Sequence, residues 1–184
     1  AIAMASEICG LLPRKPAING EAIYEGKIGT AYDVRRTAWI SFLSGAVGYT
    51  AGIDAIYAWE NNAIAMMNSP SSRQMAIIAR VMNAIPWWDL RPVADRILNQ
   101  PDGPARWMAA AAIKDGRLVV GYLPDNERIS MDAIGWTRPF QVLWVDPRTG
   151  ATVTGGHAAS ADTLDLTPPD ARDWIVVLSH PDTD

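Results

Sequence analysis

Three residues in the run Asn19-Gly20-Glu21-Ala22-Ile23-Tyr24-Glu25-Gly26 could do chemistry together: the carboxylates Glu21 and Glu25 and the phenol of Tyr24. Two carboxyl groups within reach of each other shift one another's proton affinity, which suits acid–base work, and a phenol can donate a hydrogen bond to either. Gly20 carries no side chain and leaves room beside Glu21. The same residues admit a plainer role, in which Glu21 caps the following segment or pairs with Arg35 or Arg36.

Such residues need elements to hold them. Pro16–Glu21 reads as a short buried strand whose C-terminal end carries Asn19 and Glu21. Asp33 is a good N-cap for a helix over Val34–Ser44, which Gly45 ends. Gly48–Trp59 reads as a second buried strand with its exit loop, and Arg73–Ile85 as a helix with Met75, Ile78, Met82 and Ile85 on one face. Ahead of these, Ala1–Leu12 reads as the last turns of an amphipathic helix, with Ile2, Ile8 and Leu12 near one another. Strand, helix, strand, helix in units of about thirty residues is the pattern of a parallel α/β sheet. In a parallel barrel the strands' C-terminal ends build the active site, so Glu21 is placed where a catalytic group belongs. Two strands complete neither an open sheet nor a barrel.

Downstream the pattern changes. Asn99-Gln100-Pro101-Asp102-Gly103-Pro104 has linker composition. Trp107–Lys114 and Arg117–Leu123 then flank Asp115-Gly116, a strong hairpin signal. Glu127–Met131, Phe140–Val145, Thr163–Leu166 and Trp174–Leu178 follow as further short strands. About six strands in some eighty residues predict a small antiparallel β-sandwich, with Trp107, Trp136, Trp144 and Trp174 in its core or at its edges. The expected fold is α/β plus all-β, with domains over 1–98 and 106–184 joined by a linker at 99–105.

Composition closes several alternatives. The chain has 184 residues, Lys+Arg 16 against Asp+Glu 20 and a formal net charge of −4, so no basic face exists for nucleic acid. No apolar run approaches the roughly 18 residues of a membrane-spanning helix. Cys9 is the single cysteine and reads as a small packed side chain, and no ligand spacing suggests a metal or cofactor. His157 and His180 read as exposed loop residues. Glycines 45, 48 and 52 lack dinucleotide-binding spacing.

The succession Pro16-Ala17-Ile18-Asn19-Gly20-Glu21, Tyr24-Glu25, Asp33-Val34-Arg35-Arg36 and Gly45 through Trp59 resembles the apiosidase-like glycoside hydrolases. Pro86-Trp87-Trp88-Asp89-Leu90-Arg91-Pro92 and Trp144-Val145-Asp146-Pro147-Arg148-Thr149-Gly150 fit the same family. These are (β/α)8 TIM-barrel enzymes with a C-terminal domain labelled collagen-binding, and the resemblance runs from about Ala1 to Leu178.

The resemblance implies that the chain is the last quarter of the barrel followed by the β-sandwich. It would begin in barrel helix 6, with Pro16–Glu21 as strand 7 and Gly48–Trp59 as strand 8. Glu21 would be the nucleophile of a retaining hydrolase cleaving O-glycosidic bonds in a plant- or microbe-derived glycan. The acid/base would lie on strand 4, outside this sequence, so the chain alone is not expected to turn over. A second chain or an N-terminal part would complete the barrel. Trp59 stands where such enzymes place a sugar platform, with Tyr49, Asn19 and Tyr24 as further substrate contacts and Tyr57 as a possible hydroxyl. Glu25 and Arg36 would be supporting residues, and Asp54 and Glu60 loop-surface groups. Where the family tends to have Gly-His-Thr-Tyr-Gly, this chain has Gly48-Tyr49-Thr50-Ala51-Gly52, which implies a sugar other than apiose. The family also leans toward a secreted or periplasmic location. A different class of reading is a non-catalytic glycan- or protein-binding scaffold.

Overall fold

In a computed structural model the chain divides into two compact units, Ala1–Trp88 and Asp89–Asp184. The structure describes residues 7–8, 11–13, 15–125, 127–137, 139–158 and 162–181. Cys9 and most of the helix expected over Ala1–Leu12 lie outside the described residues.

In the first unit β1 (Ile18–Asn19) pairs in parallel with β3 (Gly48–Tyr49), and β2 (Tyr24–Glu25) pairs in parallel with β4 (Gly52–Ile53). Between β2 and β3 runs α1 (Ala31–Leu43); after β4 come α2 (Asp54–Tyr57), α3 (Ala63–Met66) and α4 (Pro70–Asn83). The cap of α1 is Thr30, not Asp33. Thr30 Oγ1 accepts the Asp33 amide while Asp33 returns a bond to the Thr30 amide, a reciprocal capping box that starts the helix three residues early. Val34, Ala38, Trp39 and Leu43 are its buried apolar face, and Gly45 follows its end at φ 102°.

Helix α4 likewise starts before Arg73. Ser69 accepts the Ser72 amide and Pro70 takes the first helical position, where its missing N–H costs nothing. The buried Arg35 of α1 donates to Gln74 of α4 at 2.8 Å, joining the two helices. The expected strand over Gly48–Trp59 is broken into two two-residue strands, and from Asp54 onward the chain turns helical.

The second unit is antiparallel. Its six-stranded sheet runs β10 (Thr152–Ala158), β9 (Phe140–Val145), β12 (Trp174–Ser179), β7 (Leu118–Leu123), β6 (Ala109–Ala112), β5 (Arg91–Pro92). A two-stranded sheet pairs β11 (Thr163–Leu166) with β8 (Ile129–Asp132). Ile129, Met131, Leu164 and Leu166 from the small sheet share one core with Val119, Phe140, Trp144, Trp174 and Val176 from the large one. Trp136 joins that core, and Gly116 at φ 69° lets it do so: a Cβ there would lie 2.2 Å from the indole.

Residues 99–105 do not separate the units, which part at Trp88 and Asp89. Gln100 clasps the backbone of Met108 in both directions, and Asn99 bridges the Arg128 carbonyl and the Ser130 amide. Side-chain clasps of this kind make an irregular segment structural despite its linker-like composition. Strand β10 places the exposed His157 in a sheet edge instead of a loop, and His180, the residue after β12, is half-buried with its amide bonded to the Arg117 carbonyl.

Candidate active site

Glu21 lies two residues beyond β1, exposed, in no ion pair among the described residues. Its Oε1 accepts the Tyr24 hydroxyl at 2.8 Å. The backbone bends at Glu21 and Ala22 before Tyr24 opens β2, and the three-residue spacing lets phenol and carboxylate meet. The bond to Glu21 holds the Tyr24 phenol above its ordinary acidity range, which keeps it a neutral donor. The Tyr24 ring lies across the bare Gly52: a Cβ at 52 would sit 2.0 Å from it. Tyr57 then meets the Tyr24 ring edge-on, with centroids 5.7 Å apart at 70°.

Glu25 serves another element. Its Oε2 accepts Ser69 Oγ at 2.7 Å and the Ser71 amide at 3.1 Å at the start of α4. Partial burial pushes its pKa up, but the bonds from Ser69 and Ser71 outweigh it and its carboxyl sits below the usual range. As a supporting residue Glu25 thus holds the segment that opens α4. Arg36 lies in the field of Asp33, where partial burial is opposed by the Thr30 bonds and by the charges of Arg36 and Arg35.

Asn19 and Tyr49 lie on the α1 side of the β1–β3 pair. Asn19 Nδ2 donates to Ser41 Oγ of α1 at 2.8 Å. Its register partner Tyr49 faces the same side and lines a groove of about 310 Å³ with Phe42, Met75, Ile78, Met82 and Trp87. The Tyr49 hydroxyl is buried without a hydrogen-bond partner among the described residues, and burial pushes its pKa up to about 12. Alternation explains both: neighbours Ile18 and Gly48 take the opposite face of the β1–β3 pair, where Ile18 is 67% exposed. In a strand of two residues the sequence offers no alternation from which to read that parity.

Trp59 is 70% exposed and sits at φ 51°, a left-handed conformation that costs a bulky residue roughly 1–3 kcal/mol. Tyr57, 78% exposed, stands two residues before it.

Asp54 and Glu60 are not idle surface groups. Asp54 Oδ2 accepts the Lys27 backbone amide, and Glu60 Oε1 pairs with Lys27 Nζ at 3.0 Å. Gly26 makes the first contact possible: at φ 137° it has no Cβ, which would lie 2.7 Å from Asp54 Oδ2. The signal was local, an acid directly after a strand and a Gly-Lys pair after another, but the β2–β4 register is needed to bring them together. Among the described residues no cluster of His, Cys, Asp or Glu could hold a metal ion.

One carboxylate held by a neutral phenol and open to solvent can attack an electrophilic carbon.

Residues 2–89 match the family model described as "Apiosidase-like, catalytic domain", and residues 91–179 match "Putative collagen-binding domain of a collagenase". No curated protein matches the sequence significantly. Among solved structures, one titled "Glycoside hydrolase" superposes with TM-score 0.89 at 19% identity over 100% of this chain and 46% of its own. A glycoside hydrolase family 5 protein from Bacteroides vulgatus superposes with TM-score 0.89 at 16% identity over 100% of this chain and 45% of its own. The chain thus spans less than half the length of the structures it resembles. Residues 2–89 are thus similar to apiosidase-like catalytic domains and residues 91–179 to the putative collagen-binding domain, and the fold is shared with glycoside hydrolase structures of which this chain spans less than half.

Proposed function

We propose that this chain supplies the nucleophile of a retaining glycoside hydrolase, with Glu21 attacking the anomeric carbon. The Tyr24–Glu21 hydrogen bond just beyond a parallel strand carries the reading. A nucleophilic carboxylate must be ionised, fixed in direction and accessible, and a neutral phenol donor on one oxygen leaves the other free to attack. Glu21 would form the glycosyl–enzyme ester as the leaving oxygen takes a proton from a second carboxylic acid elsewhere in the whole protein; water activated by that second group then releases the sugar. Trp59 would offer its exposed ring to the apolar face of the sugar. In this reading the first unit is the last quarter of a (β/α)8 barrel whose remainder supplies the acid/base, and the second unit is a β-sandwich accessory module.

The test is Glu21→Gln in the full-length protein. Turnover of an aryl glycoside substrate should fall by at least about 10³-fold, the scale of losing a positioned catalytic group, with thermal unfolding unchanged. A slow 2-deoxy-2-fluoro glycoside should label the peptide that contains Glu21. Retained turnover in Glu21→Gln, or a label on another carboxylate, would overturn the assignment.

A further inference from the structure

We propose that Asp54 is a positioning residue for Glu21, acting through the Lys27 backbone amide to keep the Tyr24 hydroxyl on the carboxylate. The proposal rests on the reading of Glu21 as nucleophile, and it concerns a residue that touches neither sugar nor reacting atoms.

The segment that carries Tyr24 is weakly held by its own backbone. Strand β2 is two residues long, and its partner β4 is no longer. Two residue pairs alone do not keep a strand in place in water. The register pairs Glu25 with Ile53, so Asp54 is the first residue past the ladder and stands opposite the turn that leaves β2. That turn is closed by the Gly26 amide on the Gly29 carbonyl at 2.9 Å. Asp54 Oδ2 takes the Lys27 amide from inside it. Bonds from a backbone N–H to a carboxylate are about twice as strong as neutral ones, so this strap adds materially to the two ladder pairs.

Two glycines show that the approach is specific. Gly26 clears the space that Asp54 occupies, and Gly52, two residues before Asp54, clears the space that the Tyr24 ring occupies. Both contacts link the segment after β1 to the segment after β3. Lys27 Nζ adds a third tie to Glu60, beside Trp59. If the strap is cut, β2 is free to shift along β4, the Tyr24 ring leaves its seat on Gly52, and the phenol loses Glu21. The carboxylate then samples orientations that cannot attack.

The experiment uses the full-length protein and three substitutions at Asp54. Asp54→Ala removes the acceptor, Asp54→Asn keeps an oxygen in place, and Asp54→Ser keeps a polar residue at the start of α2 but cannot reach the amide. Amide hydrogen exchange at Lys27, followed by NMR, should quicken about tenfold in the Ala and Ser variants, and Asn should restore protection, because one charge-assisted bond is lost or replaced. Turnover should fall about tenfold in the Ala and Ser variants, mainly in kcat, and recover in Asn. In a Tyr24→Phe background, Asp54→Ser should cause little further loss, since the two act in series.

Unchanged Lys27 exchange in both Ala and Ser variants would overturn the proposal, as would losses from Asp54→Ser and Tyr24→Phe that multiply. The exchange measurement does not depend on catalysis. A catalytically competent Glu21→Gln would therefore reject the nucleophile reading on its own, with the strap still judged by Lys27.

Discussion

The two units solve the problem of holding short strands in opposite ways. In the second unit, apart from the two-residue β5, strands of four to seven residues pair around one apolar core, and side chains such as Val119, Phe140 and Ile175 are sealed from solvent. In the first unit the strands are two residues long, and polar ties do the holding: Tyr24 to Glu21, Glu25 to Ser69 and Ser71, Asp54 to the Lys27 amide, Lys27 to Glu60. A core tolerates little change of volume but is indifferent to pH. A set of ties is the reverse, sensitive to protonation and salt, and it leaves reactive groups in the open.

The largest effect separating the two regimes is expected in the core. Phe140→Ala, at a residue 0% exposed, should cost about 3–5 kcal/mol in denaturant unfolding of the second unit. Gly116→Ala comes next, at roughly 1–3 kcal/mol, because the new Cβ must displace Trp136 and take a positive φ. An equal loss from Gly103→Ala, where nothing lies within 4 Å of the added Cβ, would show that backbone strain alone accounts for it.

Cutting a tie is expected to cost less. Ser69→Ala removes both the α4 cap and a Glu25 partner, for about 1 kcal/mol. Its sign with pH distinguishes it from a core change. Glu25 sits below its ordinary value of 4.5 in the folded chain, so its bonds contribute fully above that value and are lost as pH falls through the lower folded one. The difference between wild type and Ser69→Ala should therefore shrink in acid, whereas that of Phe140→Ala should not. Lys27→Ala is the smallest, below about 1 kcal/mol and fading with added salt, since both partners of its ion pair are exposed.

The same contrast governs what the sequence made legible. Strands β7, β9, β11 and β12 announce themselves by apolar content, and Asp115-Gly116 marks the hairpin between β6 and β7. Strand β10 escapes because Gly155 and Gly156 interrupt it at a bulge. Glu21 and Tyr24 could be paired from spacing alone, because three residues suffice to bring phenol and carboxylate together across a turn. Asn19 and Tyr49 could not be oriented, since a two-residue strand has no alternation to read. Asp54 and Lys27, apart by 27 positions, become neighbours only once β2 and β4 are aligned. Asp33 misled for a further reason: Thr30 and Asp33 are both good caps, and the reciprocal bond decides between them.

Strand β6 consists of four alanines, Ala109–Ala112, each almost wholly enclosed between β5 and β7. Alanine is the strongest helix former among the residues, so nothing inside this stretch asks for an extended backbone. Its shape is imposed by the flanking Arg91–Pro92 and Leu118–Leu123 pairings. A synthetic peptide cut from this region would therefore misreport its native conformation, and a larger side chain at Ala110 or Ala112, which face the shared core, would wedge the two sheets apart where methyl groups now let them close.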